Sequence, residues 1–360
     1  MTTPIGTILA NTTTTNTTTR RRFLIGGSSG AAMMAAGCAC AKAAPSRNII
    51  DTHHHFYAPE FKQATREFEA KTGAHKTSLV DSWTPEQSLA EMDRGGIRTA
   101  VVSLSSIPGV WFNKGPAAAR EMSLACNDYA AAMVKKYPGR FGFWASLPMI
   151  DVDASLTGIA HALDELKADG IGLQTSYGDR WPGDPMFAPI FAELDRRHAV
   201  VFFHPLTPNC CTNIQDGVTS SVLEVPFDTT RCIVSLLRSG SFVKYPNIKW
   251  VFSHGGGALP MVAGRIAAQY RHDKNLHEYA PDGILATFAK LYYDTANAAW
   301  GPSWPGLRAT APISQILFGT DYPYFFVDQV QELPKRGLNA RELSAVYHDN
   351  AKRLLPRLGR

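Results

Sequence analysis

Short apolar runs recur along the chain, and stretches with helical spacing separate them. From residue 46 onward there are eight such runs, at residues 49–56, 99–104, 141–147, 170–175, 200–204, 248–254, 291–295 and 316–321. They are rich in β-branched and aromatic residues, as strands buried on both faces are. Helical patterns occupy residues 84–94, 117–136, 154–168, 187–197, 229–244 and 259–270, and a last one spans 340–355. Thr84-Pro85-Glu86-Gln87 supplies an N-cap, a proline at the first helical position and a glutamine at the third. Tyr137-Pro138-Gly139 and Tyr245-Pro246-Asn247 each stop a helix before the next run. Eight strands alternating with helices predict an α/β fold, the parallel (β/α)8 TIM barrel. Two connections, 56–83 and 205–228, are longer than usual and are expected above the C-terminal rim as a lid or pocket wall.

Charge and composition change this picture only at the N-terminus. The 360 residues are 45% hydrophobic and 19% charged, an ordinary globular balance. Arg20, Arg21, Arg22 and Lys42 lie in the first 43 residues, which contain no acid, so only about +1 of the formal net charge of +5 belongs to the rest. A nearly neutral body gives no reason to expect nucleic acid as a partner. Thr19-Arg20-Arg21-Arg22-Phe23-Leu24 resembles a twin-arginine export signal, and a small, apolar stretch follows at 25–41. Ala41-Lys42-Ala43 reads as a cleavage site, and Ala35-Ala36-Gly37-Cys38 as a competing lipoprotein site. Residues 1–43 are therefore read as an export leader with a periplasmic destination, the alternative being a disordered tail on a cytoplasmic protein, and residues 44–360 as one barrel domain. Beyond the leader, Cys126, Cys210, Cys211 and Cys232 have no CxxC spacing, which predicts neither a cysteine metal site nor a disulfide framework.

Candidate chemistry sits at the ends of the runs. Ile49-Ile50-Asp51-Thr52-His53-His54-His55 is an apolar entry into three histidines. Side chains alternate along a strand, so His53 and His55 share one face and His54 points to the other. His204 ends the fifth run, His254 the sixth and Asp321 the eighth. In a parallel barrel every strand end opens onto one face, so these five residues converge. Imidazoles with one carboxylate suit one divalent metal ion, zinc first and manganese as the alternative. His53, His55, His204 and Asp321 are the expected ligands. His254 is the expected proton-handling neighbour, because an ordinary histidine titrates near neutral pH. Its other reading is a fifth ligand or a structural residue under Gly255–Gly257.

With these residues in view, the chain resembles the amidohydrolase superfamily, in its aminocarboxymuconate-semialdehyde decarboxylase-like branch. The resemblance rests on Asp51-Thr52-His53-His54-His55, Trp83-Thr84-Pro85-Glu86, Arg140-Phe141-Gly142, Phe203-His204-Pro205, Ser253-His254-Gly255-Gly256-Gly257, Gly319-Thr320-Asp321-Tyr322-Pro323 and Asn350-Ala351-Lys352-Arg353-Leu354. It implies a metal-dependent-hydrolase type of barrel, one divalent metal held at positions 53, 55, 204 and 321, and a proton-handling histidine at 254. The run at 170–175 offers no lysine of the kind that two-metal relatives use. The segment before Trp83 lacks the arginine that holds a dicarboxylate in the aminocarboxymuconate enzyme. A less charged substrate fits better, and the pattern resembles enzymes described as 6-methylsalicylate decarboxylases. Arg265 matches a family arginine that reaches a neighbouring subunit's site, which implies a homodimer or a higher homo-oligomer.

The expected reaction is non-oxidative decarboxylation of a small hydroxybenzoate-like carboxylic acid. His254 and Asp321 are its catalytic pair, and Arg265, Arg231 and Trp83 are candidate substrate contacts. Trp111, Phe112, Trp181, Tyr322 and Tyr324 are further aromatic residues that could wall a ring. The alternative is a metal-dependent hydrolase of an amide or lactone, in which Asp321 takes a proton from water. A third reading, a metal-binding protein without catalysis, does not account for a proton-handling pair beside the ligands.

Overall fold

The structure is a computed structural model that describes residues 48–72, 77–105, 114–211, 218–325 and 327–359. The leader reading, Trp111 and Phe112 fall outside them. Eight strands pair in parallel in chain order: β1 Ile49–His55, β2 Ile97–Ser103, β3 Phe141–Ser146, β4 Gly170–Gln174, β5 Val200–His204, β6 Lys249–Phe252, β7 Tyr292–Asp294 and β8 Ile316–Leu317. The eighth strand is shorter than the run at 316–321 predicts. After Leu317 the chain leaves β7 and pairs with β1. Thr52 N–H donates to Phe318 O at 2.9 Å, Asp321 N–H to His53 O at 2.7 Å and His55 N–H to Tyr322 O at 2.8 Å. These bonds close the sheet into the expected TIM barrel and carry Asp321 to the side of β1.

Alternation along the strands divides the core. Ile50, Val101, Trp144, Phe202, Val251 and Leu317 pack inside the barrel with Ala351, Leu354 and Leu355 of the C-terminal segment. Val102, Phe143, Val201, Phe203 and Phe252 pack outward, in the main core with the helices. Neighbours such as Phe202 and Phe203 thus face opposite layers, as a period of two requires. Inside, Trp144 stacks on Phe202 with centroids 5.5 Å apart, and its indole donates to Thr52 O at 2.9 Å. Phe202 in turn meets the His53 ring edge-on at 5.2 Å. An apolar floor therefore lies directly under the first histidine.

The helices follow the predicted order with local differences. The Thr84 capping box forms as expected, opening the helix Pro85–Gly95. Residues 154–168 form Val152–Ala160 and a wider π-helical turn, His161–Glu165. The last helix is interrupted likewise, between Ala340–Ser344 and Asn350–Leu354. The stretch 229–244 splits into Glu224–Arg238 and Ser241–Lys244, because Gly240 takes a left-handed conformation (φ 74°). The long connection after β1 contains two helices, Pro59–Thr72 and Thr77–Ser82. Among the described residues no helix is long and apolar enough to cross a membrane.

Candidate metal centre

Asp321 lies among four histidines at the C-terminal ends of the strands. Its Oδ1 is 2.9 Å from His55 Nε2, 3.2 Å from His53 Nε2 and 4.0 Å from His204 Nε2. Its Oδ2 faces His254 Nε2 at 3.9 Å and Asn297 Nδ2 at 3.5 Å. Judged by mutual distance alone, His53, His204, His254 and Asp321 also form a set with donor atoms within 4.8 Å of one another. The carboxylate lies between the histidines: His53, His55 and His204 face Oδ1, and His254 faces Oδ2. The structure thus brings all five strand-end candidates together.

Local sequence explains each position. β1 carries an irregularity between Asp51 and His54, opposite Ala100 and Val102 of β2, where three residues of one strand span two of the other. Beyond it His53 and His55 turn inward and His54 outward. His54 Nδ1 lies 3.1 Å from Asp51 Oδ2, its Nε2 is 3.0 Å from Ser88 Oγ on the helix Pro85–Gly95, and its ring stacks on Tyr322. His254 and Asp321 both take left-handed backbone angles, φ 54° and 65°. His and Asp tolerate that region better than most side chains, and such strain gathers at functional sites. The glycines beside them are needed for close approach. A Cβ on Gly257 would lie 2.1 Å from Pro226 O, and one on Gly319 would lie 2.8 Å from His53 Cβ.

The partners of the far ring nitrogens set the tautomers. His53 Nδ1 is 2.7 Å from Asp294 Oδ2, His55 Nδ1 is 3.2 Å from Ser103 O and His254 Nδ1 is 3.1 Å from Ala296 O. Carbonyl and carboxylate oxygens only accept, so Nδ1 of His53 and of His254 donates there, whereas His55 Nδ1 also lies 3.3 Å from Ser103 Oγ, which can donate to it. A bound metal would take the Nε2 lone pairs of His53 and His55; without it both nitrogens face Asp321 Oδ1, and His55 Nε2 is within hydrogen-bond distance of it. The buried His53 Nε2 makes no hydrogen bond there. Such a set of donors fits a divalent cation. Ligand bonds of about 2.0–2.2 Å place donor atoms roughly 3–3.5 Å apart; His55 and His53, at 2.9 and 3.2 Å from Asp321 Oδ1, are close to that spacing, and His204, at 4.0 Å, is wider.

In the metal-free protein the histidines differ in charge. Burial alone would discharge His53, but Asp294 and Asp321 outweigh it and raise the ring to about 10. Burial lowers His55, and His204 more strongly, which keeps both rings in the neutral, ligating form. Burial opposes the charge on Asp321, yet the facing histidines, His53 first, hold its carboxyl well below the ordinary carboxylate range. Burial also lowers His254, only partly offset by Asp321. This corrects the expectation of an ordinary histidine. The shift favours the neutral ring, whose Nε2 faces Asp321 Oδ2.

Residues 50–357 match the family model described as Amidohydrolase. The chain belongs to the amidohydrolase family. Within that family it is 35% identical over 329 residues to the 6-methylsalicylic acid decarboxylase of Aspergillus aculeatus, covering 86% of this chain and 97% of that one. It is 33% identical over 325 residues to a decarboxylase of Aspergillus niger, covering 86% and 87%. A solved dihydroxybenzoic acid decarboxylase from Polaromonas, with bound manganese, superposes with a TM-score of 0.74 at 22% identity, over 87% of this chain and 98% of that one. At that identity the likeness is one of fold.

The amidohydrolase barrel does not gather every sequence candidate at the cluster. Trp83 is buried behind β1, where its indole donates to Ser88 Oγ at 2.9 Å, the hydroxyl that His54 also reaches. Trp181 donates to Asp228 Oδ1 at 2.8 Å. Arg231 lies on Glu224–Arg238, with Nη2 3.9 Å from Cys211 Sγ and a buried, unpaired Nη1. Arg265 is exposed on Leu259–Tyr270, and no hydrogen bond or ion pair among the described residues joins it to the cluster. Tyr324 stands edge-on to His55 at 5.6 Å, and its hydroxyl donates to Ser105 Oγ. Sequence reasoning missed Asp294, Asn297 and the bracing role of Asp51. Asp51 accepts from His53 N–H and Thr320 N–H, each at 3.0 Å, and so ties β1 to the turn before Asp321. The one available signal was position, since Asp294 ends its strand as His204 ends β5.

Proposed function

We propose that this protein is a metal-dependent, non-oxidative decarboxylase of a small hydroxybenzoate-like acid, with 6-methylsalicylate as the candidate substrate. The observation that carries the reading is the division of Asp321: His53, His55 and His204 share one oxygen, and His254 faces the other. The identity to a 6-methylsalicylic acid decarboxylase along most of the chain supports the substrate class. A bound divalent ion, zinc or manganese, would be held by His53, His55, His204 and Asp321 and would supply Lewis-acid stabilisation of negative charge. Manganese in the Polaromonas relative makes it a real competitor to zinc.

The chain's own residues handle the proton. Decarboxylation breaks one carbon–carbon bond, releases carbon dioxide and needs a proton at the ring carbon left behind. His254 Nε2 takes a proton from the substrate's phenol and returns it to that carbon, and Asp321 Oδ2 beside it is the second acceptor. The Trp144–Phe202 floor keeps water from below, which strengthens these interactions. Arg231, with its unpaired Nη1, is the candidate anchor for the substrate carboxylate within the chain.

Arg265 completes the same proposal from a second subunit. Exposed apolar side chains support an associating surface: Met261, one helical turn before Arg265, is 79% exposed, Val222 62% and Phe227 45%. Residues 1–43 as an export leader belong to the proposal as well. The test is to incubate metal-loaded protein with 6-methylsalicylate, other hydroxybenzoates, lactones and N-acyl compounds while following carbon dioxide and acid release. Carbon dioxide from the hydroxybenzoates alone is expected. Acid release from lactones or amides without carbon dioxide would replace the decarboxylase with the hydrolase.

A further inference from the structure

Asp294 is a fully buried carboxylate at the end of β7 that the reaction scheme above does not use. Both of its oxygens are committed. Oδ2 lies 2.7 Å from His53 Nδ1. Oδ1 accepts the backbone N–H groups of His254, at 2.8 Å, and Ala296, at 3.0 Å. The carboxylate therefore meets donors on both sides, and a group with one acceptor and one donor end cannot replace it. We propose that Asp294 is a positioning residue that fixes His53 as the tautomer protonated on Nδ1 and, through its other oxygen, holds the left-handed turn at His254. One side chain then sets both a metal ligand and the proton-handling residue. This rests on the metal-centre reading above.

The geometry states what an amide would do. In Asp294→Asn the amide oxygen stays with the two backbone donors, and the NH2 group turns to His53. His53 Nδ1 must then accept, which moves the ring proton to Nε2, the nitrogen that faces Asp321. The change is isosteric, so packing is kept while the wrong ring nitrogen is offered. The alternative flip leaves two backbone N–H groups against an NH2, which disturbs the His254 turn instead.

The experiment compares zinc affinity, by chelator competition, in the parent, Asp294→Asn and Asp169→Asn. Asp169 is a control carboxylate, buried as a side chain, that accepts from Phe143 N–H and pairs with Arg357 away from the cluster. Asp294→Asn is expected to weaken zinc binding about 10–100-fold, the usual effect of removing a ligand's supporting partner. Asp169→Asn should lower the melting temperature and leave zinc affinity unchanged. In the zinc-loaded parent, the His53 Nδ1 proton should be visible by NMR and protected from exchange. Parent-like zinc affinity in Asp294→Asn overturns the proposal, as does an equal loss of affinity in Asp169→Asn. If Asp294→Asn does not fold, the parent signal decides, and absence of a protected His53 Nδ1 proton overturns it. A parent that binds no zinc or manganese fails the metal-centre reading itself, a separate outcome.

Discussion

His254 Nε2 and Asp321 Oδ2 face each other across 3.9 Å, on the side of the carboxylate turned away from His53, His55 and His204. In the proposed reading, proton handling and metal holding meet at one residue but on different atoms. His254→Ala should keep the metal and lose about 10²–10⁴-fold in rate, the range of general acid–base assistance. Asp321→Asn should lose nearly all turnover even when excess metal restores occupancy. Elemental analysis beside steady-state rates checks both, and a metal-replete His254→Ala enzyme at the parent rate would refute the assignment.

Three adjacent histidines should behave in two ways. His53→Ala, and His204→Ala with it, should lose bound metal. His54 touches Asp51, Ser88 and Tyr322 instead, all on the outer side of β1. His54→Ala should retain one metal per chain but lose roughly 2–4 kcal/mol of stability, from a cavity and two stranded polar partners. Metal content and urea unfolding separate the outcomes. Loss of metal from His54→Ala with an intact fold would mean that β1 is read in the wrong phase.

How far this was legible in sequence follows from what alternation and strand ends can reveal. His53 and His55 were readable because a period of two needs no tertiary knowledge. His204, His254 and Asp321 were readable because a parallel barrel brings all strand ends to one rim. Asp294 stayed hidden because its role depends on which strand lies beside β6, and a lone acid at a strand end has many commoner explanations. β8 was read too long because residues 318–322 make their inter-strand backbone bonds to β1 rather than to β7. Trp83 and Trp181 read as ring walls from their rim loops. Their indole N–H groups instead found Ser88, five residues on, and Asp228, on a distant helix.

Metal affinity should rise with pH. In the metal-free protein Asp294 and Asp321, outweighing burial, raise His53 from 6.5 to about 10, so it carries a proton at neutral pH that the metal must displace. The same shift stabilises the metal-free fold fully below pH 6.5 and ceases to do so as the pH rises through about 10. Zinc titrations at pH 6 and 8 in two buffers of different ionisation enthalpy should show tighter binding at pH 8 and net proton release. Affinity independent of pH, with no proton released, would contradict the charged His53.

If Arg265 serves a neighbouring subunit, Arg265→Ala should lower activity while leaving metal content unchanged. Mixing Arg265→Ala chains with metal-free His204→Ala chains should then restore part of the rate, because a mixed pair contains one complete site. Sedimentation should show a dimer or larger, and Met261→Glu should weaken it by placing a charge on the exposed apolar surface. An active monomer at assay concentration would make Arg265 an ordinary surface residue.

The fate of one hydrogen separates decarboxylation from hydrolysis. When the carboxylate leaves the ring, the vacated carbon must receive a proton, which the proposal routes through His254. A proton on that ring exchanges with solvent between turnovers. A reaction run in deuterium oxide should therefore place one deuterium at the former carboxyl-bearing carbon of each product molecule. Because protonation interrupts aromaticity, it should also be a slow step, and the rate should fall severalfold in deuterium oxide. His254→Ala should reduce that isotope effect or shift its pH dependence, because a different group then delivers the proton. A hydrolase would leave every ring carbon unlabelled. Product without ring deuterium, formed at the parent rate, would remove the decarboxylase reading and leave the metal centre standing.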